Sequence, residues 1–226
     1  MSKKETSRGQ QVVDVVKSDS VVSLGKEYLE IGIDAALDSG ALKDIPLVST
    51  VVGLCSSYGT VKDHIFATKL IKFLNQLSEV PLYERMIMVE KLNEDDKFAG
   101  KAGTALIEIL DRMESEVKPE LAAKCFSAYA REIINYNELR HMLHAIERVP
   151  AFEINGLAKF AVATIGTFQQ FDQSTLLAYV NAGLGMNNGG LDGGAILPTD
   201  LCRLFVNSGV ISLNGTTIGQ DAIQTL

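Results

Sequence analysis

The sequence predicts a mainly α-helical fold, a multi-helix bundle followed by a small C-terminal winged-helix-like α/β module. Three observations predict it. Apolar residues recur at helical spacing through most of the first 150 positions. The stripes are separated by short connections with proline where a helix would open or close. After Lys159 the composition changes, leaving five charged side chains (Asp172, Asp192, Asp200, Arg203, Asp221) and more than half of the nineteen glycines. The expected organisation is a flexible N-terminus over 1–11, a helical bundle domain over 12–159, and a glycine-rich helix–helix–hairpin module over 160–226.

Met1 to Gln11 is polar and lacks the apolar core of a secretory signal, so it reads as a frayed terminus. Val12 to Leu37 reads as one long helix carrying Leu24, Tyr28, Ile31 and Ala35, and Ser39-Gly40 supplies its stop. A further amphipathic helix places Ile65, Leu70, Phe73, Leu74 and Leu77 on one face, with Lys62, Lys69 and Lys72 off it. Pro81 suits a first helical turn and is followed by Leu82, Met86 and Val89. Phe98, Ala102, Leu106, Ile109 and Met113 mark the next stripe; Pro119 opens another, carried by Leu121, Cys125, Phe126 and Tyr129. Asn135 with Glu138 three residues on predicts a capping box for a helix bearing Leu139, Met142, Leu143 and Ile146, ended by Pro150. Short connections favour antiparallel neighbours, hence a bundle. Beyond Lys159 the pattern predicts a helix over Ser174–Val180, a glycine-rich loop through Gly194, and a helix from Pro198 to about Gly209. A hairpin is predicted next, from Val210–Leu213 and Thr216–Ile218 around Asn214-Gly215.

The chain has 226 residues, 46% hydrophobic and 22% charged, which suits a globular protein and not a disordered one. A net charge of -7 excludes non-specific nucleic-acid binding, because nothing offsets repulsion from phosphates. Three widely spaced cysteines, Cys55, Cys125 and Cys202, form no CxxC pair and no disulfide framework, which points to a reducing cytoplasm. Cys125 lies on an apolar stripe, where a buried inert thiol is expected.

No residue pattern supports catalysis, a cofactor or a metal. Glu138, His141, His144 and Glu147 follow one another at intervals of three, and Glu-x-x-His is half of a di-iron carboxylate arrangement. The second half is missing, since His64 is the only other histidine, and steps of three drift around the helix. A polar, solvated helix face accounts for them. Gly183 to Gly190 resembles a dinucleotide loop only in its glycines, because a helix and not a strand precedes it. Glu94-Asp95-Asp96 reads as a solvated turn before Lys97. Neither a nucleophile elbow nor a phosphate loop occurs, so the protein is expected to be no enzyme.

The most informative feature is Ile45 to Val61, seventeen residues without a charge. A helix crossing hydrocarbon needs about 20 mostly apolar residues, with a range near 17 to 25. Ile45, Pro46, Leu47, Val51, Val52, Gly53, Leu54 and Tyr58 are its expected membrane or assembly residues, and small residues such as Gly53 permit close helix–helix packing. Two readings fit: a buried core helix, or a segment concealed in one form and released into a membrane in another.

Leu42-Lys43-Asp44-Ile45-Pro46, the apolar stretch after it, Phe66 through Leu74, Lys124 through Tyr129 and the Tyr136–Arg148 helix together resemble a family of poorly characterised bacterial helical proteins. The resemblance covers roughly Leu37 to Val149. It implies a setting in phage defence or on mobile elements, and it assigns no activity to any residue. The expectation that follows is a non-enzymatic anti-phage effector of the abortive-infection type. It would be a latent cytoplasmic homo-oligomer whose segment 45–61 reaches the inner membrane when a regulatory partner protein or a nucleotide-type ligand releases it. The alternative is a soluble helical adaptor or scaffold with a C-terminal interaction module. A third reading, a winged-helix regulator, has only Arg203 as a cation after Lys159.

Overall fold

The structure is a computed structural model, and it describes residues 7–22, 61–94, 101–114, 117–189 and 194–213. The chain divides into two compact units, Met1–Ile133 and Ile134–Leu226. The composition change at Lys159 therefore falls inside the second unit, and the capped Asn135 helix belongs with the C-terminal elements.

In the first unit the helices are α1 (Ser7–Val16), α2 (Val61–Leu77), α3 (Leu82–Glu94), α4 (Ala102–Arg112) and α5 (Val117–Ala130). The principal packings are α1 on α4 and α2 on α5, with α3 lying against α5 and α2 also touching α4. Phe73 of α2 meets Phe126 of α5 edge to face, with ring centroids 5.8 Å apart. Helix α2 is buried continuously from Ala67 to Leu74, so its core is wider than a single stripe. Lys69 and Lys72, expected off the apolar face, are buried with it, whereas Ile65 is exposed. On α4 the core residue is Leu110, one place beyond the expected Ile109.

Two expectations for the N-terminus are corrected. Residues 7–11 are not frayed but form the first turns of α1. The reason is Gly9, which lets α1 lie directly on α4: a Cβ on Gly103 would overlap the Gly9 carbonyl and come within 2.9 Å of its Cα. The long helix expected over 12–37 is interrupted: α1 ends at Val16, and helical residues resume at 20–22. Ser18 starts that stretch by accepting a hydrogen bond at its Oγ from the Ser20 N–H, 3.1 Å. Residues 23–37 of the expected helix lie outside the described residues.

The end of α5 is closed by Glu132, whose φ of 59° places it in the left-handed region that glycine usually fills. Ile133 N–H then donates to Ala128 O at 2.9 Å, the long bond of a Schellman turn. Lys91 reaches across to the Glu132 carboxylate at 2.6 Å.

The second unit opens with α6 (Tyr136–Arg148), and the predicted capping box is present. Glu138 N–H donates to Asn135 Oδ1 at 3.0 Å, and Asn135 N–H donates to Glu138 Oε2 at 2.7 Å. Its buried face is Leu139, Met142, Leu143, Ala145 and Ile146. A 3-10 turn, Ala151–Gly156, leads into the short α7 (Leu157–Ala161), and a second, Phe168–Gln170, leads into α8 (Gln173–Asn181). Strands β1 (Gly185–Asn187) and β2 (Ile196–Pro198) pair antiparallel, with Met186 opposite Leu197, and α9 (Asp200–Asn207) follows.

The β-structure thus flanks the glycine-rich stretch that the sequence predicts as loop. Gly183 at φ 75° turns the chain out of α8, and Asn188 closes the ladder by donating to Ala195 O at 3.0 Å and accepting its N–H at 2.7 Å. Val210–Leu213, expected as the first hairpin strand, is turn and irregular chain; Asn214-Gly215 and Thr216–Ile218 lie outside the described residues. Among the described residues the order is helix, hairpin, helix.

Tyr179 organises this unit. Its ring lies 4.6 Å from that of Phe160, and its hydroxyl donates to Glu153 O at 2.8 Å. Gly156 gives it room, since a Cβ there would overlap the Tyr179 hydroxyl. Gly156→Ala should therefore displace the ring and break the Glu153 bond, lowering stability by about 1–3 kcal/mol, as overpacking does. Urea midpoints check this. Adding Tyr179→Phe, which removes the hydroxyl alone, should recover part of the loss, and strict additivity of the two changes would contradict the contact.

Cys125 and Cys202 are buried, as expected for an inert thiol at Cys125. Burial pushes both thiols up, Cys202 to about 12 and Cys125 further, and it also raises the Tyr179 phenol, with the Glu153 charge adding to the effect. An unfolded thiol ionises near about 8.5, so above that pH the unfolded chain sheds protons that the folded chain keeps. Stability should fall as pH rises from 9 to 11, by about 1.4 kcal/mol per pH unit for each thiol. Lys69 acts oppositely: burial lowers its amine, Asp111 and Glu114 partly restore it, and folding gains between its lowered value and that of free lysine. One amine does not offset two thiols and a phenol. Cys202→Ala should flatten the decline, and an unchanged slope would refute the assignment.

Candidate functional site

The expected membrane or assembly residues, Ile45, Pro46, Leu47, Val51, Val52, Gly53, Leu54 and Tyr58, all lie outside the described residues. Of that stretch only Val61 is described, as the first residue of α2. No helix among the described residues is long and apolar enough to cross a membrane.

The structure brings out a feature that the sequence reading passed over, a buried cation at the end of α1. Helix α1 is a poor helix by composition: four valines and a glycine in ten residues carry low intrinsic propensity. Neither an acidic residue in its first turn nor a basic one in its last complements its dipole. Val12, Val13, Val15 and Val16 are buried, so packing holds it.

Its C-terminal carbonyls are satisfied from α3. Arg85 Nη1 donates to Val16 O at 2.6 Å and to Ser18 O at 2.8 Å, while Nε donates to Val80 O at 3.1 Å. One guanidinium therefore joins the end of α1 to the turn before α3. The side chain has no solvent exposure, and among the described residues Nη2 has no hydrogen-bond partner. Burial pushes the guanidinium below its ordinary value, and the Asp19 carboxylate pushes back. The group stays charged at neutral pH, and its field serves the negative end of α1.

A second cation does similar work in the same unit. Lys69 Nζ, on buried α2, donates to Asp111 O in the last turn of α4 at 3.0 Å. Lys118 on α5 is also buried. Arg85 and Lys69 thus each bond a carbonyl at the end of a neighbouring helix. Arg85 had a signal in the sequence: it stands three, four and seven residues before Met88, Val89 and Leu92, the buried face of α3. Leu82, Met86 and Val89, the expected stripe, share only Val89 with that face, and Met86 is exposed.

The other sequence candidates stay apart. Glu138 is engaged in its own helix cap, and His141 and His144 are exposed. Among the described residues no group of three or more His, Cys, Asp or Glu side chains is placed to hold a metal ion. His64 belongs to α2, and Asp95 and Asp96 lie outside the described residues. Of the glycine-rich loop, Gly183 to Gly189 form the exit from α8, β1 and the turn after it. Compared with family models, curated proteins and solved structures, the chain matches none of them.

Proposed function

We propose that the protein is a latent, non-enzymatic effector of bacterial defence that assembles and acts on the inner membrane. The observation that carries this reading is the uncharged run Ile45–Val61, in a chain where 22% of residues are charged. The resemblance around Leu42–Pro46 supplies the setting. A segment of this length and moderate polarity makes no conducting path alone, so activity requires a homo-oligomer. A regulatory protein or nucleotide-type ligand would act by binding the released form more tightly than the latent one.

A specific observation favours the adaptor as the second reading. The second unit exposes Phe152, Val162, Ile165, Leu177 and Met186, with Phe152 80% accessible, and such side chains suit a protein contact. The winged-helix regulator has less support. The described hairpin stands between two helices, and Arg203, the one cation after Lys159, is 3.4 Å from Asp200.

Fractionation of expressing bacteria tests the choice. The effector should move to the inner-membrane fraction during phage infection and resist salt extraction. A protein that stays entirely in the supernatant through infection supports the adaptor and contradicts the effector.

A further inference from the structure

We propose that Asn188-Gly189 is a latent deamidation site: the β1–β2 hairpin holds it unreactive through hydrogen bonds, and it converts to aspartate and isoaspartate where those bonds open. This goes beyond the effector reading and does not rest on it.

The chemistry lies in the dipeptide. The backbone nitrogen of the residue after an asparagine can attack the asparagine side-chain amide, and glycine in second place leaves that approach open because it has no Cβ. The chain holds three such pairs, Asn155-Gly156, Asn188-Gly189 and Asn214-Gly215. At Asn188 the reaction balances with water alone. Gly189 N loses its proton to solvent and bonds to Asn188 Cγ; the Cγ–Nδ2 bond breaks, and that nitrogen takes up a proton and leaves as ammonia. Water then opens the cyclic imide at either carbonyl, leaving aspartate or isoaspartate at 188. The sum is one water consumed and one ammonia released.

Both reacting groups belong to exposed residues, yet each is engaged. Gly189 N–H donates to Asn187 Oδ1 at 2.8 Å. Removing that proton would leave an anionic nitrogen facing an acceptor oxygen, so the bond opposes the ionisation that attack requires. Asn188 Oδ1 accepts the Ala195 N–H at 2.7 Å, and Asn188 N–H donates to Ala195 O at 3.0 Å. The carboxamide is thereby tied to the chain entering β2 and is not left to swing onto Gly189. Asn187 and Asn188 have different tasks: the first holds the nucleophile, and the second closes the hairpin. Conversion has a structural consequence. Isoaspartate inserts a methylene into the main chain at 188, so the paired bonds to Ala195 lose their register. A carboxylate also appears in the stretch after Lys159, which otherwise carries five charged side chains.

Peptide mapping by mass spectrometry of the full-length protein, aged in mildly alkaline buffer, tests this. In the folded wild type, conversion at Asn188 should be about tenfold or more slower than in the same chain unfolded in guanidinium chloride. In the unfolded chain, Asn214-Gly215 supplies an internal rate for an unrestrained pair. Equal rates at Asn188 in the folded and unfolded chain would overturn the proposal. Asn187→Ala, which removes the acceptor, should speed conversion in the folded protein several-fold. Asn187→Asp, which keeps an acceptor oxygen, should stay as slow as the wild type. An alanine variant no faster than wild type, or an aspartate variant as fast as the alanine one, would also overturn it.

Discussion

Gly103→Ala should cost about 3 kcal/mol, although alanine is the better helix former by roughly 1 kcal/mol. The added methyl overlaps the carbonyl of Gly9 and approaches its Cα, so the obstacle is backbone that no rotamer change can relieve. Relief requires α1 to lift from α4 along its length, exposing Val12, Val13, Val15 and Val16, all buried in the native state. The effect should be local: far-ultraviolet circular dichroism should keep most of its helix signal, while proteolysis begins to cut within residues 7–22. A Gly103→Ala protein as stable as the wild type, with α1 still protected, would refute the close helix contact.

Arg85→Met should lower stability by about 2–4 kcal/mol, because buried carbonyls are left without a charged donor. Methionine preserves much of the volume of the aliphatic stem, so a cavity contributes little. The loss comes chiefly from the carbonyls of Val16 and Val80, which lose the Arg85 donor in buried positions, while Ser18 O keeps the Val21 N–H at 3.4 Å. Arg85→Lys should fall between, because a single ammonium cannot reproduce the fork that spans two segments. Chemical denaturation of the three proteins checks the order wild type, lysine, methionine. A methionine variant within 1 kcal/mol of wild type would mean that water replaces the guanidinium there at little cost, about the worth of one ordinary hydrogen bond.

These two sites also show what the sequence made legible. Helices with a one-sided apolar stripe and a local start signal were readable: Asn135 and Glu138 form the capping box that their spacing predicts, and Leu139, Met142, Leu143 and Ile146 are buried. Continuous burial was not. Lys69 and Lys72 look like a polar face, yet α2 is surrounded by its neighbours, and a tertiary position overrides a binary pattern. Arg85 sat in register with Met88, Val89 and Leu92. A charge on an apolar stripe reads as an interruption until the carbonyls it serves, 67 and 69 residues away, are known. The β-hairpin was misplaced for a related reason. Asn214-Gly215 carries the stronger two-residue turn signal, whereas β1 and β2 are three residues each and are joined through a longer glycine-rich connection. The segment 45–61 was legible in the sequence, whereas the bonds from Arg85 to the end of α1 are visible only in the structure.

The membrane potential of bacteria expressing the full chain tests the central claim most directly. Wild-type protein, overexpressed or triggered by phage infection, should depolarise cells carrying a potential-sensitive dye. Gly53→Arg should abolish that response, because an arginine at the centre of an inserted segment costs about 2.5–3.5 kcal/mol. Gly53→Leu should change assembly, and with it the size of the response, more than it changes the melting temperature, since small residues mark close helix contacts. The contradicting result is a fully maintained potential with wild-type protein at high level, in the presence of phage as well as without it.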